Sequence, residues 1–103
     1  MINIKYGSIF DEKCDLIVIP CNNYGGNSSS VYNELLINDI PYFADEMEAG
    51  NISFHENMGS FANASYIGFA ASVDASNNDL NNIKNAVKRI CLRIKDYAYS
   101  NDI

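Results

Sequence analysis

A polar loop with two adjacent glycines follows an apolar run in the first quarter of the chain. The apolar run covers residues 16–19 and stops at Pro20. The loop contains Gly25 and Gly26, and a helix-compatible segment begins near Ser29. A strand, a glycine loop and a helix in this order place backbone N–H groups and a helix N-terminus at one strand end, where α/β folds hold anionic ligands. The pattern predicts an anion-binding loop, although paired glycines also occur where a chain only turns.

The distribution of charge limits what this loop could bind. The formal charge is −6, and every basic side chain is Lys5, Lys13 or lies within residues 84–95, so residues 14–83 contain none. A protein that reads nucleic-acid backbone needs a basic stripe, and this chain offers only one helix face. We therefore expect no nucleic-acid partner, and an anionic small ligand that is held mainly by backbone amides.

The first half of the chain predicts two strands and a short helix. Ile2, Ile4 and Tyr6 alternate with polar residues, a period-two pattern for a strand with one buried face. The continuous apolar run over residues 16–19 predicts a central strand that is covered on both faces. A short helix follows the serines near residue 30 and should end before Pro41. Residues 42–49 are ambiguous, and a short acidic helix is one interpretation.

The second half predicts two further strands and a long helix. Residues 50–54 and 64–73 have strand character, and residues 76–79 offer a helix cap. Apolar residues then recur at helical spacing: Leu80, Ile83, Val87, Ile90, Cys91, Ile94 and Ala98. The expected fold class is α/β.

Length and composition favour one soluble domain over residues 1–103. Nearly half of the residues are hydrophobic, and no apolar run approaches the roughly 18 residues that would span a bilayer. Cys14, Cys21 and Cys91 are an odd number without a CxxC spacing, which predicts reduced thiols, no zinc site and a cytoplasmic location. We expect no membrane partner.

Residues 4–30 resemble the opening of a macro domain, the module that binds ADP-ribose and related NAD-derived nucleotides. Gly7-Ser8-Ile9 lies where that family has a Gly-Asp-Ile turn, and residues 14–22 lie at its Val-Asp-Ala-Ile-Val-Asn-Ala-Ala-Asn strand. Gly25-Gly26 corresponds to its glycine-rich loop, and residues 50–52 and 64–67 resemble its next two strands more loosely. The resemblance implies a three-layer, macro-domain-like mixed sheet flanked by helices, truncated relative to the family.

The resemblance also implies a set of ligand-binding residues. Asn22 matches the family asparagine that binds the distal ribose, and Ser8 and Ile9 lie where the family contacts adenine. The phosphate would contact the glycine loop and the start of the helix. The predicted ligand-binding set is Ser8, Ile9, Asn22, Tyr24, Gly25, Gly26, Ser28, Ser29 and Ser30.

Two departures from the family pattern shape the expectations. Ser8 replaces the acidic residue that contacts the adenine amino group, so adenine recognition would take another form. The family's later strand and second glycine-rich loop have no counterpart, and we therefore expect a homo-oligomer in which a second subunit completes the pocket.

Catalytic candidates are weak on sequence alone. His55 is the only histidine, yet its neighbours Phe54 and Glu56 favour a surface or partly packed residue. Cys21 adjoins the predicted site without an activating partner nearby, which favours core packing. We therefore predict no catalytic residue, no metal site and no cofactor.

Three functions remain open at this point. The first is non-catalytic binding of an ADP-ribose-like ligand, as in a phage sponge that sequesters an NAD-derived defence signal. The second is a hydrolase that removes ADP-ribose or a nucleotide phosphate, for which Asp15 is the one visible base. The third is an oligomeric structural or partner-binding subunit that has lost its pocket.

Overall fold

A ten-residue strand forms the middle of the sheet in the computed structural model, which describes residues 2–40 and 44–103. Along the chain, the strands are β1 (Cys14–Asn22), β2 (Ile52–Glu56) and β3 (Ala64–Val73), and the helices are α1 (Ser29–Ile37) and α2 (Leu80–Ser100). A single turn of 3-10 helix, Ile9–Asp11, precedes β1. The described part of the chain is therefore a mixed α/β unit, which confirms the predicted fold class at this level.

The strand order β1-β3-β2 places β3 between a parallel and an antiparallel neighbour. β1 runs parallel to β3, with Leu16 opposite Tyr66, and β2 runs antiparallel to it. Parallel neighbours end at the same edge of a sheet, so the loops that follow β1 and β3 start side by side. This carboxyl edge of the β1–β3 pair positions the candidate site.

The hydrophobic core lies on one face of the sheet, beneath α1. Ile19, Ile67 and Phe69 are fully buried on this face, together with Leu35 of α1. Phe10 of the 3-10 turn closes the same core and meets the ring of Phe61 edge-on, with 6.2 Å between the ring centroids. α2 covers the opposite face through its own buried residues, so the sheet separates the two helices.

Both helices begin at polar caps near the carboxyl edge of the sheet. The Ser28 hydroxyl accepts a hydrogen bond from the Val31 N–H at the start of α1, and the Asp79 carboxylate accepts one from the Asn82 N–H at the start of α2. The predicted short helix and long helix are confirmed, and α1 ends at Ile37, before the proline at position 41.

Three secondary-structure predictions from the sequence are wrong. Residues 2–6 form no strand, because no described strand lies beside them, and period-two patterning alone cannot supply one. β1 is an edge strand and not a central one, and it runs through Pro20 instead of stopping there. Residues 44–49 contain no helix, and the rest of the predicted acidic helix lies outside the described residues.

The remaining strand predictions are close to the structure. β3 has the predicted bounds, whereas β2 begins two residues later than expected, because Gly50, with φ +98°, makes the turn into it. Cys14, Cys21 and Cys91 are free thiols, as predicted. In residues 2–40 and 44–103, no helix has the length and apolar character needed to cross a membrane.

Candidate functional site

Two neighbouring depressions open at the carboxyl edge of β1 and β3. The first, here called the loop cavity, has a volume of about 360 Å³; it is lined by the end of β1, the glycine loop and the end of β3. The second, the edge cleft, has a volume of about 640 Å³; it is lined by Asn23, the segment 46–49, the loop after β3 and the first half of α2. Asn22 lines the first and Asn23 the second, so the two depressions adjoin.

The glycine loop is held closed by the side chain of Asn22. The Asn22 Oδ1 atom accepts hydrogen bonds from the N–H groups of Tyr24 and Gly26, at 2.9 and 3.0 Å. The Gly25 N–H donates to the Asn22 carbonyl at 3.0 Å. The amides of residues 24–26 therefore serve the loop itself, and the Asn22 Nδ2 group is what remains for a ligand.

Gly25 is the position at which the loop requires glycine. Its φ of +80° lies in the left-handed region, and a Cβ atom added there would come 2.1 Å from the carbonyl oxygen of Ala44. Gly26 has no positive φ, and a Cβ atom there would lie 3.2 Å from Asn22 Nδ2. The first glycine thus allows the loop to pack against the segment that begins at Ala44.

The three serines lie where the loop joins α1. Ser28 caps the helix, and its Oγ atom lies 3.2 Å from that of Ser30. The N–H groups of Ser29 and Ser30, in the first turn, donate to no acceptor in residues 2–40 and 44–103, as is usual at a helix N-terminus. These two amides, not those of the glycines, are the donors left for an anionic group.

Ser8 and Ile9 lie away from the other predicted site residues. The Ser8 side chain accepts from the Phe10 N–H, and the Phe10 carbonyl accepts from Asn63, just before β3. This bond places the 3-10 turn at the amino end of the parallel pair, whereas the glycine loop lies at its carboxyl end. The structure does not bring Ser8 and Ile9 together with Asn22.

Asparagine side chains are the dominant polar groups of the edge cleft. Asn23 accepts from the Ala75 N–H through Oδ1 at 2.8 Å, and Asn82 donates to the Asn77 carbonyl at 3.1 Å. Asp74 accepts hydrogen bonds from the hydroxyl and the N–H of Ser76, and these bonds lower the pKa of its carboxyl. The loop after β3 is therefore rigidly bonded, while Asn85 of α2 makes no hydrogen bond to any described residue.

Arg89 supplies the positive charge of the edge cleft. Its guanidinium lies on Gly50, because a Cβ atom added there would be 2.9 Å from Arg89 Nε and 3.0 Å from Cζ. No hydrogen bond or ion pair joins this guanidinium to any residue of the ranges that the structure describes. All of its N–H donors remain for a ligand.

Arg89 was not predicted as a site residue, because the basic residues of 84–95 were interpreted only as one face of a helix, and the sequence does not show that this helix comes beside the glycine loop. α2 begins beside the carboxyl edge and passes back over the sheet, so its polar flank comes over Gly50. The spacing Asn82, Asn85, Arg89 places these side chains on one helix flank, and that spacing could have indicated a polar surface beside the apolar stripe.

The two catalytic candidates that the sequence offered, His55 and Cys21, lie elsewhere or are packed. His55 contacts the Ser53 hydroxyl at 2.8 Å and pairs with Ile67, six residues before Val73, which places it about 20 Å from the carboxyl edge. Cys21 lines the loop cavity, but burial raises the pKa of its thiol to about 11. Among the described residues, no group of three or more His, Cys, Asp or Glu side chains is placed to hold a metal ion.

Comparisons with protein-family models, with curated proteins and with solved structures find no match to this chain.

Proposed function

We propose that the protein binds a phosphorylated nucleotide of the ADP-ribose type at the carboxyl edge of β1 and β3, without chemical turnover. The observation that carries this proposal is the Arg89 guanidinium, which lies in the edge cleft against Gly50 and donates no hydrogen bond to residues 2–40 or 44–103. A planar guanidinium with a free fork of N–H donors matches the oxygens of a phosphate. Its position fixes where the anionic group of the ligand would bind.

The other residues of the edge cleft indicate the chemistry of the part of the ligand that lies away from Arg89. Carboxylates of Glu46, Glu48 and Asp74 line it beside the asparagine amides. Carboxylates accept hydrogen bonds from hydroxyl or amino groups and repel a second anion, so this part of the cleft suits a sugar or a base edge. A ligand with one compact anionic centre and several hydroxyl donors fits this arrangement, and a ribose phosphate has that composition.

The loop cavity offers the second contact region. It adjoins the edge cleft through the successive residues Asn22 and Asn23, and it is lined by Ser28, the N-cap of α1. A dinucleotide-sized ligand that spans both depressions would place its pyrophosphate on Arg89 and its second sugar in the loop cavity, near Asn22 and Ser28. The macro-domain resemblance likewise implies a ribose at Asn22, although it places the phosphate on the glycine loop.

A binding role is favoured over hydrolysis by the surroundings of the site. Hydrolysis needs a poised base or a metal ion that activates water, and His55 lies about 20 Å along the sheet. Of the carboxylates in the cleft, Asp74 has a pKa lowered by its bonds to Ser76, which makes it a weaker base, and Glu46 and Glu48 are exposed to solvent. The Asp15 carboxylate lies at the opposite end of β1. On this proposal the protein acts by sequestration, as a sponge for an NAD-derived signal would.

Titration calorimetry of wild-type protein and the Arg89→Gln variant with ADP-ribose and with adenosine tests the proposal. We expect wild-type protein to bind ADP-ribose, and Arg89→Gln to bind it about 10- to 100-fold more weakly, because a charge-assisted pair to phosphate is lost. Adenosine, which has no phosphate, should show the same affinity for both proteins.

Lys88→Gln is the matched control, since it removes the same charge from the neighbouring exposed position of α2. It should leave ADP-ribose binding unchanged. Absence of heat with ADP-ribose at about 1 mM, or equal weakening by Lys88→Gln, would overturn the proposal. Chromatography of the ligand after incubation separates the alternatives, because a hydrolase would return cleaved nucleotide.

A further inference from the structure

Residues 2–6, here called the N-terminal arm, are an unpaired segment with the pattern of a strand. Ile2, Ile4 and Tyr6 are 91%, 93% and 107% exposed, so all three side chains project into solvent. One exposed ion pair, 3.5 Å between Lys5 Nζ and Glu12 Oε2, is the hydrogen-bonded contact of the arm with the described part of the chain. Three large and fully exposed apolar side chains at alternate positions indicate a surface that is meant to be covered.

β1 has an open edge of the same length. Its only neighbour among the described strands is β3, so the hydrogen-bonding groups on its other side lack a partner strand. The open stretch is bounded at both ends. The Cys14 N–H donates to the Asn63 carbonyl, while Pro20 has no N–H and its carbonyl accepts from Asn27 Nδ2 at 2.8 Å. Residues 15–19 remain between them, five residues against the five of the arm.

An apolar surface of α2 faces this open edge. The flank that carries Asn82, Asn85 and Arg89 lines the edge cleft, on the side of Gly50 and β2. The opposite flank, which helical spacing assigns to Leu80, Val87 and Cys91 together with Lys84, therefore points towards β1. The three apolar residues are exposed, and Leu16 and Val18 on the same face of the sheet are only half-buried.

We propose that the N-terminal arm of one copy adds as a strand to the open edge of β1 in a second copy, and that the exchange is reciprocal. The arm and the open stretch of β1 have the same number of residues, and their apolar sides can face each other. A strand laid beside β1 would have one face against the apolar flank of α2, and the arm has one apolar face, with Asn3 and Lys5 on the other. A mutual exchange of this kind closes a symmetric dimer.

The anchoring of the arm favours a second copy as the occupant. Phe10 is buried in the core and its carbonyl is bonded to Asn63, so the arm leaves the molecule at the amino end of β1. In the structure the arm makes no strand pairing with its own β1, and its Lys5 side chain is paired with Glu12 instead. The open edge of a second copy is therefore the partner that we assign to it.

Sedimentation velocity at micromolar concentration tests the exchange with three variants. We expect wild-type protein to sediment as a dimer, and Ile4→Asp and Val87→Asp each to weaken the dimer about ten-fold or more, because each places a charge in an apolar contact. Leu36→Asp is the matched control, since Leu36 is an exposed apolar residue of α1 on the other side of the sheet. It should leave the dimer intact.

Thiol cross-linking identifies which copy supplies the arm. In a Cys14→Ser background, Ile4→Cys is treated with a short bismaleimide, which can join it to the exposed Cys91. A covalent dimer on a denaturing gel supports the exchange. A cross-link within one chain would show that the arm docks on its own β1, and a monomeric wild-type protein without any cross-link would show that the arm is uncovered. Either result overturns the proposal.

Discussion

At the scale of single residues, the glycine loop is organised by Asn22 and Gly25 and not by a ligand. The Asn22 carboxamide oxygen binds two loop amides, and Gly25 provides the backbone turn and the close approach to Ala44. The sequence pattern had assigned these amides to a phosphate, whereas in the structure they bond within the loop. The types and the spacing of the loop residues can be read from the sequence, whereas the direction in which each N–H group points depends on how the loop folds.

Gly25→Ala should destabilise the protein by about 2 kcal/mol or more, because alanine is strained at φ +80° and its Cβ would meet the Ala44 carbonyl. Urea unfolding measures the change in the free energy of unfolding. Gly26→Ala is the control, since φ there is not positive and the nearest contact, 3.2 Å to Asn22 Nδ2, is milder. An equal loss in the two variants would contradict the prediction.

The three thiols should react at different rates with a disulfide reagent at pH 8. Cys91 is exposed and should react first. Burial and the charges of Asp15 and Glu12 raise the pKa of Cys14, which should react more slowly, and Cys21, with its pKa raised to about 11 by burial, should react last. Single Cys→Ser variants assign each phase. Rapid reaction of Cys21 in the folded protein would contradict this order.

The Cys21 thiol makes the free energy of unfolding depend on pH in a predictable direction. The pKa of Cys21 is higher in the folded protein than its ordinary value of 9.0, so the neutral thiol is the form that folding favours. The stabilisation that comes from the neutral thiol is fully present below pH 9 and is lost as the pH rises towards 11. Wild-type protein should therefore lose stability over this interval more steeply than Cys21→Ala, as measured by urea unfolding at each pH.

At the scale of elements, the bounds of a strand were easier to predict than the identity of the strands that pair with it. The small and apolar residues of β3 gave its bounds, but the apolar run of β1 was taken for a central strand. In the structure Ile17 and Ile19 are buried on one face, while Leu16 and Val18 are only half-buried on the other. Hydrophobicity reports that a strand meets apolar surface, but it does not report which strands pair with it. The polar flank of α2, with Arg89, was not predicted because the sequence does not show which loops a helix will lie beside.

Tyr97 is the main aromatic contact between α2 and the sheet. Its ring stacks on Phe54 with 3.8 Å between centroids and 4° between planes, and it meets Tyr66 edge-on at 5.7 Å. Tyr97→Leu should lower the free energy of unfolding by about 1–2 kcal/mol, through loss of this stack. Tyr99→Leu is the matched control because Tyr99 is 91% exposed on the same helix, and its effect should be negligible. Equal effects in a thermal melt would argue against the contact.

At the scale of the whole molecule, charge is divided between one helix and the rest of the chain. α2 carries five of the seven basic residues, namely Lys84, Lys88, Arg89, Arg93 and Lys95, although the formal charge of the protein is −6. The sequence showed this division, and the structure adds that Arg89 comes from that helix to the edge of the sheet where the two parallel strands end. An acidic protein thus places one arginine of its basic helix in the edge cleft, among the carboxylates of Glu46, Glu48 and Asp74.

This uneven distribution of charge should affect how fast a negatively charged ligand binds. A negatively charged molecule approaching at random would be repelled by most of the surface and attracted towards α2, so long-range electrostatics would guide its encounters to the side on which Arg89 lies. Such guidance is weakened by dissolved salt over distances of about 10 Å. The association rate constant should then fall as ionic strength rises, while the residence time of the captured molecule changes far less.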